Sequence, residues 1–321
     1  QSAKGIVCNV ADFDRDPMRL NVQNGTLDLR TGVLSEHHPG DFFTKVAAAS
    51  YEPGARSPLW ERVLLESMGG DVEKVAFLRR VLGYSLTGDT REEKLFIALG
   101  PGATSKSTIV ESFKRAIGDY AMTADFESFV AKSGGGVRND IARLAGARFV
   151  SSIEVEKGRR LAEGLAKSIT GGDEVTARFL YREAFTFRPQ FKLVLVANDA
   201  PRADDQDTGL WRRIVRIPFE VIVPKDKRDP KVKGELCDAA VSGAAILAWA
   251  VEGCLEWQRT GLAVPASIDA ATEEYRESQD PFADFFEDEC IFDADARTPR
   301  SALRRRYEEW AKRNGTRSPL G

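Results

Sequence analysis

The segment from Lys94 to Gly118, KLFIALGPGATSKSTIVESFKRAIG, limits what this chain can fold into more than any other. An apolar run, a glycine-containing loop and an amphipathic run closed by Gly118 read as strand, loop and helix. Residues Gly100 to Ser107 meet the phosphate-binding pattern GxxxxGK[ST] at every fixed position but one, since Ser105 stands where the second glycine is expected. In a loop of this kind the backbone N–H groups of Gly102, Ala103, Thr104, Ser105, Lys106 and Ser107 face a β-phosphate. Lys106 neutralises the β and γ oxygens, Ser107 ligates Mg²⁺, and the helix N-terminus, continuing through Thr108, adds the positive end of its dipole. Ser105 brings a Cβ to a glycine position but can still take the required backbone. The expectation is therefore weakened rather than abolished nucleotide binding.

Length and charge set outer bounds. With 321 residues and a formal net charge of -3, the chain has room for two or three domains. No apolar run reaches the roughly 20 residues that span a bilayer, so no membrane partner is expected. The most apolar stretch, Ala239 to Ala250, reads as a buried helix. Cys8, Cys237, Cys254 and Cys290 are isolated, which argues against structural zinc or a disulfide framework and for a reducing, cytoplasmic compartment. His37 and His38 are the only histidines, so the chemistry does not rest on an imidazole base. Near-neutral charge excludes a protein that simply coats nucleic acid, yet it leaves room for a local basic channel. Gln1 is not a start methionine, and the chain is expected to be a fragment of something longer.

Along the chain, Leu20 to Leu29 alternates about Asn24-Gly25 and predicts a β-hairpin turning at those two residues. Pro58 to Leu86 takes up helical spacing, with a break at Gly69-Gly70. Beyond the phosphate loop, a short helix is expected over Asp140 to Ala145 and a strand over Arg148 to Ile153, then a helix from about Arg159 to Ile169. Two strands joined at Tyr181-Arg182-Glu183-Ala184 follow, and then buried strands over Phe191 to Ala197 and within Leu210 to Phe219. Alternating strands and helices predict a three-layer α/β core. After Pro224 the chain reads as helical over Val232 to Arg259, Ile268 to Glu277 and Arg300 to Arg313. The acidic, aromatic stretch Asp280 to Asp295 reads as a linker or a solvated helix face.

A nucleoside triphosphatase also needs a carboxylate at a strand end and a polar group near the γ-phosphate. Glu154 and Glu156 close an apolar strand; Glu154, which ends the run directly, is preferred as the metal-associated acid, and either residue can polarise the attacking water. Asn198 ends another strand and can orient that water. Arg212 and Arg213 follow, and an arginine presented to a neighbouring subunit's nucleotide stabilises charge on the transferring phosphoryl group. Each has a plainer reading as a surface carboxylate, a turn-forming asparagine or solvated charge. Their order after a phosphate loop favours the chemical one.

Taken together, these segments resemble the superfamily 3 helicases of the phage, plasmid and poxvirus primase-helicase type, a branch of the AAA+ ATPases. GPGATSKST is similar to that family's loop, GRRLAEGLAKSITGGDEVTAR to the segment after its acidic strand, and LVLVANDAPRADDQDTGLWRRIVRIPF to its sensor strand, arginine finger and next strand. SALRRRYEEWAKRNG resembles, more weakly, a winged-helix-like C-terminal region. The resemblance implies three parts: a primase-helicase-associated domain over residues 1–90, an AAA+ core over 91–223 and a helical region over 224–321. It implies that Lys106 and Ser107 hold ATP and Mg²⁺, with Glu154 or Glu156 as the acid. Asn198 is then the sensor, Arg213 ahead of Arg212 the finger, and Lys167 a lysine near the neighbouring nucleotide. The hairpin between the acidic and sensor strands would grip DNA with Tyr181 and Arg182, extended by Arg188 and Lys192.

The function expected is an ATP-dependent, homo-hexameric DNA helicase, translocating on single-stranded or forked DNA. The resemblance implies 3′ to 5′ polarity and an associated or fused primase. The setting would be a phage, plasmid or viral element replicating in the cytoplasm of a bacterial or archaeal host. An AAA+ loader or protein remodeller is the alternative, and a non-hydrolysing DNA-binding protein a weaker one.

Overall fold

The computed structural model describes residues 12–130, 139–153, 160–179, 182–203, 208–279, 282–293 and 295–313. It begins with a three-stranded antiparallel sheet of β1 (Arg19–Val22), β2 (Gly25–Asp28) and β3 (Val33–Ser35). The expected hairpin is present, but Val22 pairs with Gly25, so the turn falls on Gln23-Asn24, one residue early. Two tertiary demands explain the shift. The Asn24 amide spans to the Tyr51 backbone, donating to its O and accepting from its N–H at 2.9 Å each, and a Cβ on Gly25 would lie 2.3 Å from Ser35 O. Helices α1 (Pro58–Ser67) and α2 (Val72–Tyr84) then start on Ser57 and Asp71, whose side chains accept first-turn N–H groups. The break between them includes Gly69 and Gly70, both at positive φ.

The next elements are β4 (Leu95–Leu99), α3 (Lys106–Ile117), β5 (Ala121–Thr123), α4 (Asn139–Ala142) and β6 (Phe149–Ile153). They are followed by α5 (Glu163–Thr170), β7 (Val175–Arg178), β8 (Ala184–Phe187), β9 (Lys192–Ala197), α6 (Thr208–Trp211) and β10 (Ile214–Pro218). Five of the strands form one parallel sheet in the order β10-β4-β9-β6-β5, while β7 and β8 make a separate antiparallel ribbon. Phe96, Ala98, Val194, Val196, Val215 and Ile217 point to one face, where Ile109 and Phe113 of α3 cover them. Leu95, Ile97, Leu193, Leu195 and Ile214 point to the other, under Ile141, Ile169 and Leu210 of α4, α5 and α6. Both faces are therefore buried, as a parallel sheet requires, and each fully buried Leu or Ile contributes roughly 2 kcal/mol.

After the sheet come α7 (Pro230–Cys237), α8 (Gly243–Thr260), α9 (Ala266–Glu277), α10 (Ala283–Glu289) and α11 (Arg300–Arg313). The single helix expected over Val232 to Arg259 is split, because Asp238 turns extended and its carboxylate accepts the Ala240 N–H at 2.9 Å, satisfying backbone outside a helix. Helix α8 crosses α2 at very short range: a Cβ on Gly83 would meet Cys254 N at 2.1 Å, and one on Gly253 would meet Arg79 O at 2.0 Å. One apolar cluster thus runs from Met18 to Ile268 and draws on all three segments suggested by the sequence. The acidic stretch is more than a linker, since Phe285 of α10 packs with Tyr307 and Trp310 of α11 in a small core. No strand follows β10 among the described residues, so the winged-helix-like expectation finds no wing there.

Lys192 is a correction. It was expected on a basic DNA track, but it opens β9 with 2% exposure and its ammonium donates to the carbonyls of Thr87, Asp89 and Gln190 above the Tyr84 ring. Both faces of this central strand are buried, so neither direction would have left Lys192 exposed. Burial, with Arg148 nearby, holds its pKa well below the ordinary 10.5. Because the native pKa lies below the unfolded one, stability from this site rises with pH through the interval between them, towards 10.5. Lys192→Met is expected to cost about 3 kcal/mol in urea unfolding, because three carbonyls lose their donor. It should also flatten that rise with pH relative to the wild type.

Candidate nucleotide and DNA-binding site

The loop between β4 and α3 wraps the Lys106 ammonium. Its Nζ donates to Gly100 O and Pro101 O at 2.6 Å each, to Thr104 Oγ1 at 3.1 Å and to Asn198 Oδ1 at 3.4 Å. Lys106 is 4% exposed, and burial lowers its pKa. Among the described residues only neutral oxygens receive it, and it stands at the mouth of a helix N-terminus. That combination attracts an anion.

Backbone requirements explain the loop's composition. A Cβ on Gly100 would lie 1.9 Å from Phe219 O, whereas one on Gly102 would meet nothing within 4 Å. Ala103 and Ser105 both sit left-handed, at φ 63° and 64°. Ser105 has therefore adopted the glycine backbone, at a cost of about 1 kcal/mol for its Cβ, and its hydroxyl makes no cap hydrogen bond. Thr104 is buried with its hydroxyl on Pro101 O, while Ser107 and Thr108 are partly exposed on the first turn of α3. A partly exposed hydroxyl beside the lysine suits Mg²⁺, which keeps several waters and takes few protein ligands. No cluster of three or more His, Cys, Asp or Glu able to hold a metal occurs among the described residues. Glu154 and Glu156 lie outside them; β6, which leads to these residues, is described to Ile153, paired with Val196.

Asn198 reaches this loop because β9 lies next to β4, with Ala197 opposite Leu99. The loop and the sensor are thus brought together at the C-terminal edge of the sheet. Arg212 and Arg213 are not. Ile214 opposes Leu95 and Pro218 opposes Leu99, so both arginines sit at the opposite edge, a strand length of roughly 16 Å from their own phosphate loop. Lys167 shares that edge: its carbonyl accepts the Gly171 N–H, and a Cβ on Gly171 would lie 3.2 Å from Arg213 Nη2.

Exposure separates the two arginines, of which Arg213 was expected ahead of Arg212 as the finger. The Arg213 side chain is 10% exposed and is held by Gly209 O at 2.7 Å and Glu93 at 3.0 Å, while the Arg212 side chain is 65% exposed, with Glu93 at 3.4 Å. Sequence reasoning missed Glu93, the carboxylate behind both. Glu93 sits at φ 52° just before β4, a backbone setting that no sequence pattern announced.

On the ribbon, Val175 pairs with Phe187, Thr176 with Thr186, Ala177 with Phe185 and Arg178 with Ala184. Phe179, Phe185 and Phe187 stack in a ladder, with centroid spacings of 5.5 Å and 5.8 Å. This aromatic face was also missed, although Phe185 and Phe187 alternate as a strand face must. Arg178, Arg182 and Arg188 are exposed, and Arg188 stands 3.5 Å from Glu174. Tyr181 lies outside the described residues.

Residues 3–69 match the family described as "D5 N terminal like", and residues 98–213 match "Family of unknown function (DUF5906)". The chain is 26% identical to the "Putative helicase L207/L206" of Acanthamoeba polyphaga mimivirus, over 97% of this chain and 36% of that protein. It is 26% identical to the "Putative helicase 022R" of Frog virus 3, over 76% of this chain and 26% of that protein. A "Putative primase" of African swine fever virus is 24% identical over 95% of this chain and 34% of its own length. The chain therefore spans about a third of the length of such relatives. In fold it is similar to the apo structure of NrS-1 C terminal region, with a TM-score of 0.58 at 13% identity, covering 82% of this chain and 59% of that one.

Proposed function

From the match of residues 3–69 to the family described as "D5 N terminal like" and the similarity to viral proteins named putative helicases, we propose that the chain is the motor portion of an ATP-dependent DNA helicase. The observation that carries this reading is the pair Lys106 and Asn198 at one sheet edge, with Arg212 and Lys167 at the other. A subunit so built holds one half of a hydrolysis site and offers the other half to a neighbour. Stacked in a closed ring, copies complete each other's sites, and a hexamer of AAA+ type fits this arrangement. Gly100, Gly102, Ala103, Thr104, Ser105 and Thr108 shape the cradle, Lys106 meets the β and γ oxygens, and Ser107, with Glu154 or Glu156, holds Mg²⁺. The bound metal neutralises charge on the phosphates. Asn198 orients the attacking water, and Arg212 from the neighbour stabilises the transferring phosphoryl group.

The ribbon is the proposed contact with single-stranded DNA. Arg178, Arg182 and Arg188 supply phosphate contacts, and Phe179, 39% exposed near the tip, supplies a stacking surface. The test is ATP turnover with and without single-stranded DNA: stimulation is expected, and turnover indifferent to DNA would overturn the helicase reading. Arg182→Ala is expected to weaken DNA binding while sparing ATP binding. Across a salt series, the slope of log affinity should fall by about 0.7 per contact removed. An unchanged slope with unchanged unwinding would favour a loader or remodeller instead.

A further inference from the structure

Glu93 offers a single oxygen to both arginines: Arg212 Nη2 donates to its Oε2 at 3.4 Å, and Arg213 Nη2 stands 3.0 Å from the same atom. The backbones of the pair are tied alongside, since Lys94 Nζ donates to Arg212 O at 2.6 Å and the Leu95 N–H to Arg213 O at 2.7 Å. Glu93 is itself placed from the other side. Its N–H donates to Thr90 O at 3.0 Å, while at Glu92 the N–H donates to Tyr84 Oη at 3.3 Å and Oε1 accepts from Trp257 Nε1 at 2.8 Å. The left-handed backbone at Glu93 is thus held by α2 and α8 before it and by the arginines after it. We propose that Glu93 is a positioning residue for phosphoryl transfer: anchored by Arg213, its carboxylate aims Arg212 at the triphosphate of a neighbouring subunit. The proposal rests on the shared-site reading above, in which Arg212 is the finger.

A finger works by arriving already oriented, because a group held in near-attack geometry takes entropy out of the barrier. The exposed Arg212 guanidinium has Glu93 as its one partner among the described residues, so this carboxylate alone narrows its search. The contact uses Nη2 only. Nη1 and Nε remain for phosphate oxygens, which the planar fork can engage while still anchored. Arg213 keeps the anchor in place: its Nη1 donates to Gly209 O at 2.7 Å, and a Cβ on Gly171 would lie 3.2 Å from its Nη2, so it is wedged as well as bonded. A stabilising role would need Arg213 alone. The exposed pair with Arg212 adds little to stability, and its consequence is orientation.

Glu93→Gln keeps the size of the side chain and an acceptor oxygen for Arg213 while removing the charge that holds Arg212. It is expected to lower kcat by roughly tenfold or more with KM for ATP within about threefold of wild type, as when an interaction made in the transition state is lost. Co-assembled mixtures then locate the effect. With Lys106→Ala chains, which bring an intact arginine pair, turnover should exceed the average of the two proteins alone, by about fivefold for a tenfold defect and random assembly from equal amounts. With Arg212→Ala chains, whose loop is intact and whose finger is not, it should stay at that average. Recovery with Arg212→Ala, which would place Glu93 at its own subunit's loop, overturns the proposal; so does recovery with neither partner, or wild-type kcat in Glu93→Gln. Should Glu93→Gln not fold, Glu93→Asp, which draws the carboxylate back by one methylene, enters the same two mixtures with the same expectation. The control mixture of Lys106→Ala with Arg212→Ala keeps the two readings apart: if it fails to recover, the shared site falls, and the role of Glu93 with it.

Discussion

Replacing Lys106 with alanine is expected to reduce ATP turnover by about a thousandfold, or roughly 4 kcal/mol of transition-state stabilisation. The ammonium is buried among neutral oxygens, with its pKa lowered by desolvation, so the folded protein holds this charge at a cost. Removing it should therefore leave Tm within a few degrees of wild type. The readouts are steady-state turnover, calorimetric Tm and Mg²⁺-ATP affinity, which should fall with turnover. A variant that still hydrolyses ATP at more than a tenth of the wild-type rate would remove Lys106 from the site.

Arg212 and Arg213 should separate cleanly. Arg212→Ala is expected to cut turnover by about a thousandfold with ATP binding and Tm retained, as for an arginine contributed to a neighbour's transition state. Arg213→Ala is expected instead to destabilise the protein by about 2–3 kcal/mol, since it strips a largely buried guanidinium from Glu93 and Gly209. Mixing tests the division of the site between subunits. Lys106→Ala and Arg212→Ala proteins, each inactive alone, should regain activity when combined, because the Arg212→Ala loop meets the arginine of a Lys106→Ala neighbour. Random assembly from equal amounts makes roughly a quarter of the interfaces competent. No recovery in a co-assembled mixture would sink the shared-site reading.

The phosphate loop was legible because its chemistry is local. Gly100, Lys106 and Ser107 are fixed by a backbone path that a few consecutive residues encode, and Ser105 took the left-handed conformation the motif demands. The buried strands were legible for a similar reason, since continuous apolar runs such as LFIAL and LVLVA have no other stable place. What misled was a charged residue at the start of a strand buried on both faces. In sequence Lys192 is one more cation near a ribbon; in the fold its neighbours Tyr84, Thr87 and Asp89, distant in sequence, decide that it points inward. The same holds for the early turn at Asn24, which was set by Tyr51, and for the end of α7, which Asp238 imposed on an otherwise helical run.

By itself, then, the sequence determined an α/β core with a phosphate-loop pattern between a buried strand and a helix. Strand pairing decided the rest: Asn198 joins Lys106 because β9 runs beside β4 and both follow their strands, and Arg212 is separated from them because it precedes β10, which runs parallel to β4. Exposure, which no linear pattern reports, distinguishes the two adjacent arginines Arg212 and Arg213. Side-chain identity is written residue by residue, whereas register and burial are sums over contacts between distant segments, and only the folded chain evaluates those sums.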